Sequence, residues 1–154
     1  MITVISLSVI LVGLATAAPD ATTRTWDDVV NPDEKIRLEA AGSLDGRIRV
    51  YRAVSERFFR ELQQTVGSEE FEAVPDLLER WTIVLETSRK DIETNAAGGR
   101  NRSIIQYEID LRKAIRAADE LKILSTVELQ DEFDRWTARA EAIRTKIIDV
   151  LFAH

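Results

Sequence analysis

The chain has 154 residues, 45% hydrophobic and 31% charged, with 6 Gly, 3 Pro and a formal charge of -6 at pH 7. That length supports one domain, the scarcity of Gly and Pro argues against a β-rich or disordered chain, and the acidic balance speaks against nucleic acid as a partner. There is no cysteine, one methionine at position 1 and one histidine at position 154, which leaves no material for disulfides, thiolate metal sites, haem ligation or the Glu-x-x-His pairs of di-iron bundles, so no cofactor is expected.

Ile2 to Ala18 carries no charge and ends in Ala15-Thr16-Ala17-Ala18. An apolar run followed by small residues reads as a secretory signal peptide over residues 1–17, cut between Ala17 and Ala18. No Lys or Arg precedes the run, and a retained N-terminal anchor is the alternative; membrane contact is expected only in that case. Export without disulfides fits a bacterial envelope, with the protein periplasmic or secreted. Residues 18–31 read as a flexible spacer holding Trp26, and residues 32–154 as a helical bundle domain.

Asn31-Pro32-Asp33-Glu34 opens the first helix: Asn31 caps, Pro32 takes the first turn, and two acids face the positive end of the dipole. The helix is expected to reach Val66, with a seam of Leu44, Ile48, Tyr51, Ser55, Phe58 and Leu62. Gly42 and Gly46 mark either a break or a close approach. Ser68-Glu69-Glu70 starts the second helix, kinked at Pro75, with Leu78, Trp81, Leu85, Ser88 and Ile92 on one side. Gly98-Gly99 permits the next turn, and Asn101 caps a third helix lined by Ile104, Tyr107, Leu111, Ile115, Ala118 and Leu121. Asn101-Arg102-Ser103 also matches a glycosylation sequon. Ser125-Thr126-Val127-Glu128 reads as a capping box for the last helix. There Leu129, Phe133, Trp136, Ala140, Ile143, Ile147 and Val150 alternate at spacings of four and three, the rhythm of lengthwise helix packing.

Shifting the last helix back by 55 residues onto the second gives identity at six of fourteen positions, including Arg80-Trp81-Thr82 with Arg135-Trp136-Thr137. The first and third helices align at a shift of 56, less well, pairing Ile48 with Ile104 and Tyr51 with Tyr107. The expected fold is therefore all-α: an antiparallel four-helix bundle of two similar hairpins related by an approximate twofold, following the signal segment.

Arg47, Arg49, Arg52, Arg57 and Arg60 crowd the first helix and form the candidate interaction surface. The bland reading is that they pair with the acid-rich second helix. Tyr51, Phe58, Trp81 and Trp136 form a candidate groove between hairpins. The acids are accounted for by helix starts or by pairs such as Glu56–Arg60, Glu86–Lys90, Glu108–Arg112 and Asp131–Arg135, and none sits on a seam, where an apolar setting would tune it for catalysis. No enzyme is expected; the last-ranked exception would hold an anion with Arg47, Arg52 or Arg60. The leading expectation is a non-catalytic protein-interaction or structural component of the bacterial envelope, with another protein as partner. The alternative is a periplasmic ligand-binding or chaperone-like bundle. A homodimer is possible through Phe59, Ile83 or Ile148.

Overall fold

The computed structural model describes residues 23–98 and 101–153; the expected signal segment lies outside them. Six α-helices and two single 3-10 turns make up the described chain, with no strand among those residues. The helices are α1 (Trp26–Val29), α2 (Pro32–Ala40), α3 (Leu44–Gly67), α4 (Val74–Asn95), α5 (Arg102–Leu124) and α6 (Gln130–Phe152). No described helix is long and apolar enough to cross a membrane.

The four long helices share one core, and the seams assign it. Ile48, Phe58, Leu62, Leu85, Ile92, Phe133, Ala140 and Ile147 are each at most 1% exposed. A continuous apolar stripe per helix is what drives this packing, since helix propensity alone is marginal.

Contacts across the core fix the helix directions. Arg47 reaches Asp91 while Ser55 meets Trp81, so α3 and α4 run antiparallel. Glu108 reaches Arg144 while Lys122 meets Asp134, so α5 and α6 do too. Asp45 meets Asn101 and Arg52 meets Asp110, so α3 and α5 lie side by side in parallel. Trp81 meets Trp136 and Glu86 meets Arg139, so α4 and α6 do likewise. This corrects the expected twofold. A twofold along the helices would put α4 and α6 at opposite corners, and one across them would reverse their direction. The hairpins are instead displaced sideways, with residues in contact 53 to 58 apart in sequence: 56 at Asp45–Asn101, 58 at Arg52–Asp110, 55 at Trp81–Trp136 and 53 at Glu86–Arg139.

Locally, one of the two readings of Gly42 and Gly46 holds, while Ser125 does not cap the last helix. The first helix breaks at Ala41–Ser43. Ser43 then caps α3 by accepting the Gly46 N–H at 3.1 Å, so Gly42 interrupts and Gly46 belongs to a new first turn. Ser125 closes α5 by donating to the Lys122 carbonyl at 2.7 Å, and a 3-10 turn at Val127–Leu129 precedes α6. Within the stretch expected as a flexible spacer, Trp26–Val29 forms a turn of helix packed on α4, with Val29 buried and Trp26 edge-on to Tyr51 at 5.5 Å.

Trp81 Nε1 donates to Ser55 Oγ at 2.7 Å across the α3–α4 contact. Ser55→Ala leaves that buried N–H without an acceptor, a loss of about 1–3 kcal/mol, offset by about 0.5 kcal/mol of helix propensity. Urea unfolding of the variant is expected to give a lower midpoint with an unchanged slope.

Candidate functional site

The five arginines of the candidate surface do not act together. Arg47 grips Asp91 with two hydrogen bonds, of 2.7 and 2.9 Å, and Tyr51 donates to the same carboxylate at 2.8 Å. Arg52 turns to Asp110 on α5 at 2.6 Å. Arg57 faces the N-terminal arm, holding Glu34 at 2.6 and 2.8 Å and Glu61 at 2.8 Å. Arg60 pairs with Glu56 at 3.4 Å in open solvent. Arg49 alone has no carboxylate within 4.0 Å among the described residues. Helix α3 thus distributes its cations to α2, α4 and α5, leaving no single anion-binding face.

Among the described residues Glu34 is the one buried acid, at 8% exposure. It completes a reciprocal cap with Asn31, accepting the Asn31 N–H at 3.0 Å while Asn31 accepts the Glu34 N–H at 2.8 Å. Burial alone pushes its carboxyl up, but the hydrogen bonds from Arg57 and the Asn31 amide prevail and hold it below the ordinary carboxylate value. Asp91 behaves alike: burial raises it, and Arg47, Tyr51 and Asn95 together bring it lower than usual. Burial, with Asp91 beside it, pushes the Tyr51 hydroxyl well above its usual range, so Tyr51 remains a donor. These environments favour ionised carboxylates held by cations, the setting of structural ion pairs rather than of a general acid.

The repeated ion pairs are present. Glu86–Arg89 spans 2.9 Å and Glu141–Arg144 spans 3.1 Å. Each is tied to a further helix, through Arg139 to Glu86 at 2.6 Å and Arg144 to Glu108 at 2.7 Å. Of the expected local pairs, Glu56–Arg60 and Glu108–Arg112 form, at 3.4 and 3.9 Å. Glu86 takes Arg89 in place of Lys90, and Arg135 takes Glu132 in place of Asp131.

Tyr51, Phe58, Trp81 and Trp136 are core residues, at most 3% exposed, and do not line one groove. Trp81 and Trp136 pack ring on ring, 4.4 Å apart and tilted by 34°. Phe58 lies beneath the guanidinium groups of Arg57 and Arg80, at 4.4 and 5.3 Å. Only Trp81 of these reaches a cleft of about 540 Å³ between α3 and α5. Sequence reasoning missed this cleft because three alanines make it: Ala53, Ala114 and Ala117 leave the space that larger side chains would fill.

A second opening, of about 320 Å³, lies between α5 and α6 and is lined by Ile105, Glu108, Ile148, Leu151 and Phe152. Phe152 is 65% exposed, a high value for so large an apolar side chain. Of the residues considered for a dimer contact, Ile148 belongs here; Phe59 packs on Trp81 and Ile83 on the core. No described group of three His, Cys, Asp or Glu side chains is placed to hold a metal ion.

No protein-family model matches the chain, and no curated protein or solved structure does.

The depressed carboxyls set the acid response. Glu34 and Asp91 bind protons less readily folded than unfolded, so the stability they contribute is complete above an unfolded value near ~4 and is lost as pH falls through their folded values. Melting temperature followed from pH 6 to pH 2.5 is expected to fall most steeply below pH ~4. Asp91→Asn is expected to flatten that fall.

Proposed function

We propose that this protein is an exported, non-catalytic interaction component of a bacterial envelope, built as a four-helix bundle of two similar hairpins, which binds another protein through the outer face of the second hairpin. The signal pattern over residues 1–17 supports export, and the absence of cysteine favours a bacterial envelope for an exported chain. The observation that carries the binding surface is the apolar opening between α5 and α6, with Ile105, Ile148, Leu151 and Phe152 around it.

Its position has a reason in the architecture. Helix pairs stacked side by side bury one face against the next pair and leave the terminal faces open. On the first hairpin the arm supplies a cover, α1 on α4 and α2 on α3. Ile105 stands 56 residues after Arg49, on the side of α5 that corresponds to the side of α3 turned toward the second hairpin. The second hairpin therefore offers, at its far face, the surface by which a further helix would join the stack. An amphipathic helix inserting apolar side chains at i, i+3 and i+4 fits a groove of this kind. Exposed Ile123, Leu124 and Val127 form a separate apolar patch at the α5–α6 turn, the opposite end of the hairpin, about 27 Å along α5 from Ile105.

A photo-crosslinking phenylalanine analogue placed at Phe152 of the full chain in its native cell, and separately at exposed Arg60, tests this. The expected result is one discrete protein adduct from position 152 and none from position 60. No adduct at 152, or the same adducts from both positions, contradicts the proposal. An adduct consisting only of a second copy of the chain would replace the partner by a homodimer.

A further inference from the structure

We infer that the cleft between α3 and α5 is a binding site for a small amphipathic anion, a molecule with an apolar body and one anionic head such as a carboxylate. The cleft is separate from the α5–α6 groove and needs no protein partner. Its volume, about 540 Å³, falls inside the roughly 300–1,000 Å³ typical of ligand pockets.

The lining sets the chemistry. Trp81, Phe59, Leu111 and the three alanines give an apolar interior. Trp81 is held in place on two sides, by Ser55 at 2.7 Å and by the Trp136 ring, so this wall is formed before any ligand arrives. Such preorganisation lowers the ordering cost of binding.

The polar groups divide in one direction. Both carboxylates on the lining are already engaged. Asp110 accepts from Arg52 at 2.6 Å and from Gln106 at 3.0 Å, and Glu56 faces Arg60 at 3.4 Å. The Tyr107 hydroxyl is committed to Ser88. Arg49 and Lys113 also line the cleft, one from each helix, and neither has a carboxylate within 4.0 Å among the described residues. The Ser55 hydroxyl accepts the Trp81 N–H, and no acceptor for its own proton occurs among the described hydrogen bonds. Apart from the solvent-facing Glu56 Oε2, the unengaged side-chain polar groups on the lining are donors, and two carry positive charge. A carboxylate is an acceptor only, so it satisfies this set, whereas an ammonium head or a neutral donor does not. Inorganic anions lack the apolar body that would cover Trp81 and the alanines.

The test is calorimetric titration of the full chain with decanoate below its micelle concentration, with decyltrimethylammonium, decyl phosphate and inorganic phosphate in parallel. The expected result is saturable binding of one decanoate per chain, no saturable binding of the ammonium amphiphile, and none of inorganic phosphate. Arg49→Ala with Lys113→Ala alters solvent-facing side chains without internal ion pairs, so the helical circular dichroism is expected to persist while decanoate binding weakens at least tenfold. Ala114→Leu fills the cleft and is expected to abolish binding. Decyl phosphate is expected to bind as decanoate does, and its failure to bind would overturn the assignment to anions in general. Equal binding of the ammonium amphiphile, a double variant that binds as the parent does, or absence of decanoate binding to the parent would each overturn the site itself.

Discussion

The contact between Trp81 and Trp136 is the constraint on which the rest of the molecule depends. Two indoles 4.4 Å apart join parallel helices that belong to different hairpins. Trp81 adds a hydrogen bond to α3, so three of the four long helices meet at one side chain. A large aromatic at the centre of a closely packed core specifies one register, because any slip along the helix axis removes the ring from its partner. The side-by-side placement of α3 with α5, and of α4 with α6, follows the same register. So does the cleft, whose walls are α3 and α5 and whose interior Trp81 reaches.

Charge plays a different part. The arginines of α3 connect it to its neighbours rather than to a ligand, and the pair between Arg57 and Glu34 attaches the N-terminal arm to the bundle. Arg57 and Arg80 also both approach the Val29 carbonyl at the end of α1, at 3.5 Å. Seven cations have no carboxylate within 4.0 Å among the described residues, and of these only Arg49 and Lys113 line the cleft. The α5–α6 groove is recognised by the opposite sign, apolar side chains left in solvent where the arm has no counterpart.

The stripes of the four long helices were legible in the sequence, since a spacing of three and four is imposed by the helix itself. Trp81, Ser88, Tyr107 and Phe133 are all buried where the periodicity places them. The cap at Asn31 was legible for the same local reason. What escaped was tertiary. Ser125 can open one helix or close another with the same hydroxyl, and only the path of the chain decides between them. Arg52 has the Glu56 carboxylate one turn away on its own helix, yet it turns to Asp110, which is 58 residues away. The shifted identities did not specify how the hairpins sit, because a twofold and a sideways displacement are compatible with the same repeat. The cleft left no positive signal, since alanine reads as a helix former and gives no sign of the space beside it.

A double-mutant cycle on the tryptophan pair tests the central claim most directly. Trp81→Leu, Trp136→Leu and the double variant would be unfolded in urea under identical conditions. A contact between the rings predicts a coupling of about 0.5–1.5 kcal/mol beyond the loss of buried area, with the double variant less destabilised than the sum of the singles. Additive losses, within about 0.3 kcal/mol, would mean that the two side chains do not touch, and would contradict the parallel packing of α4 and α6 from which the cleft and the open groove were derived.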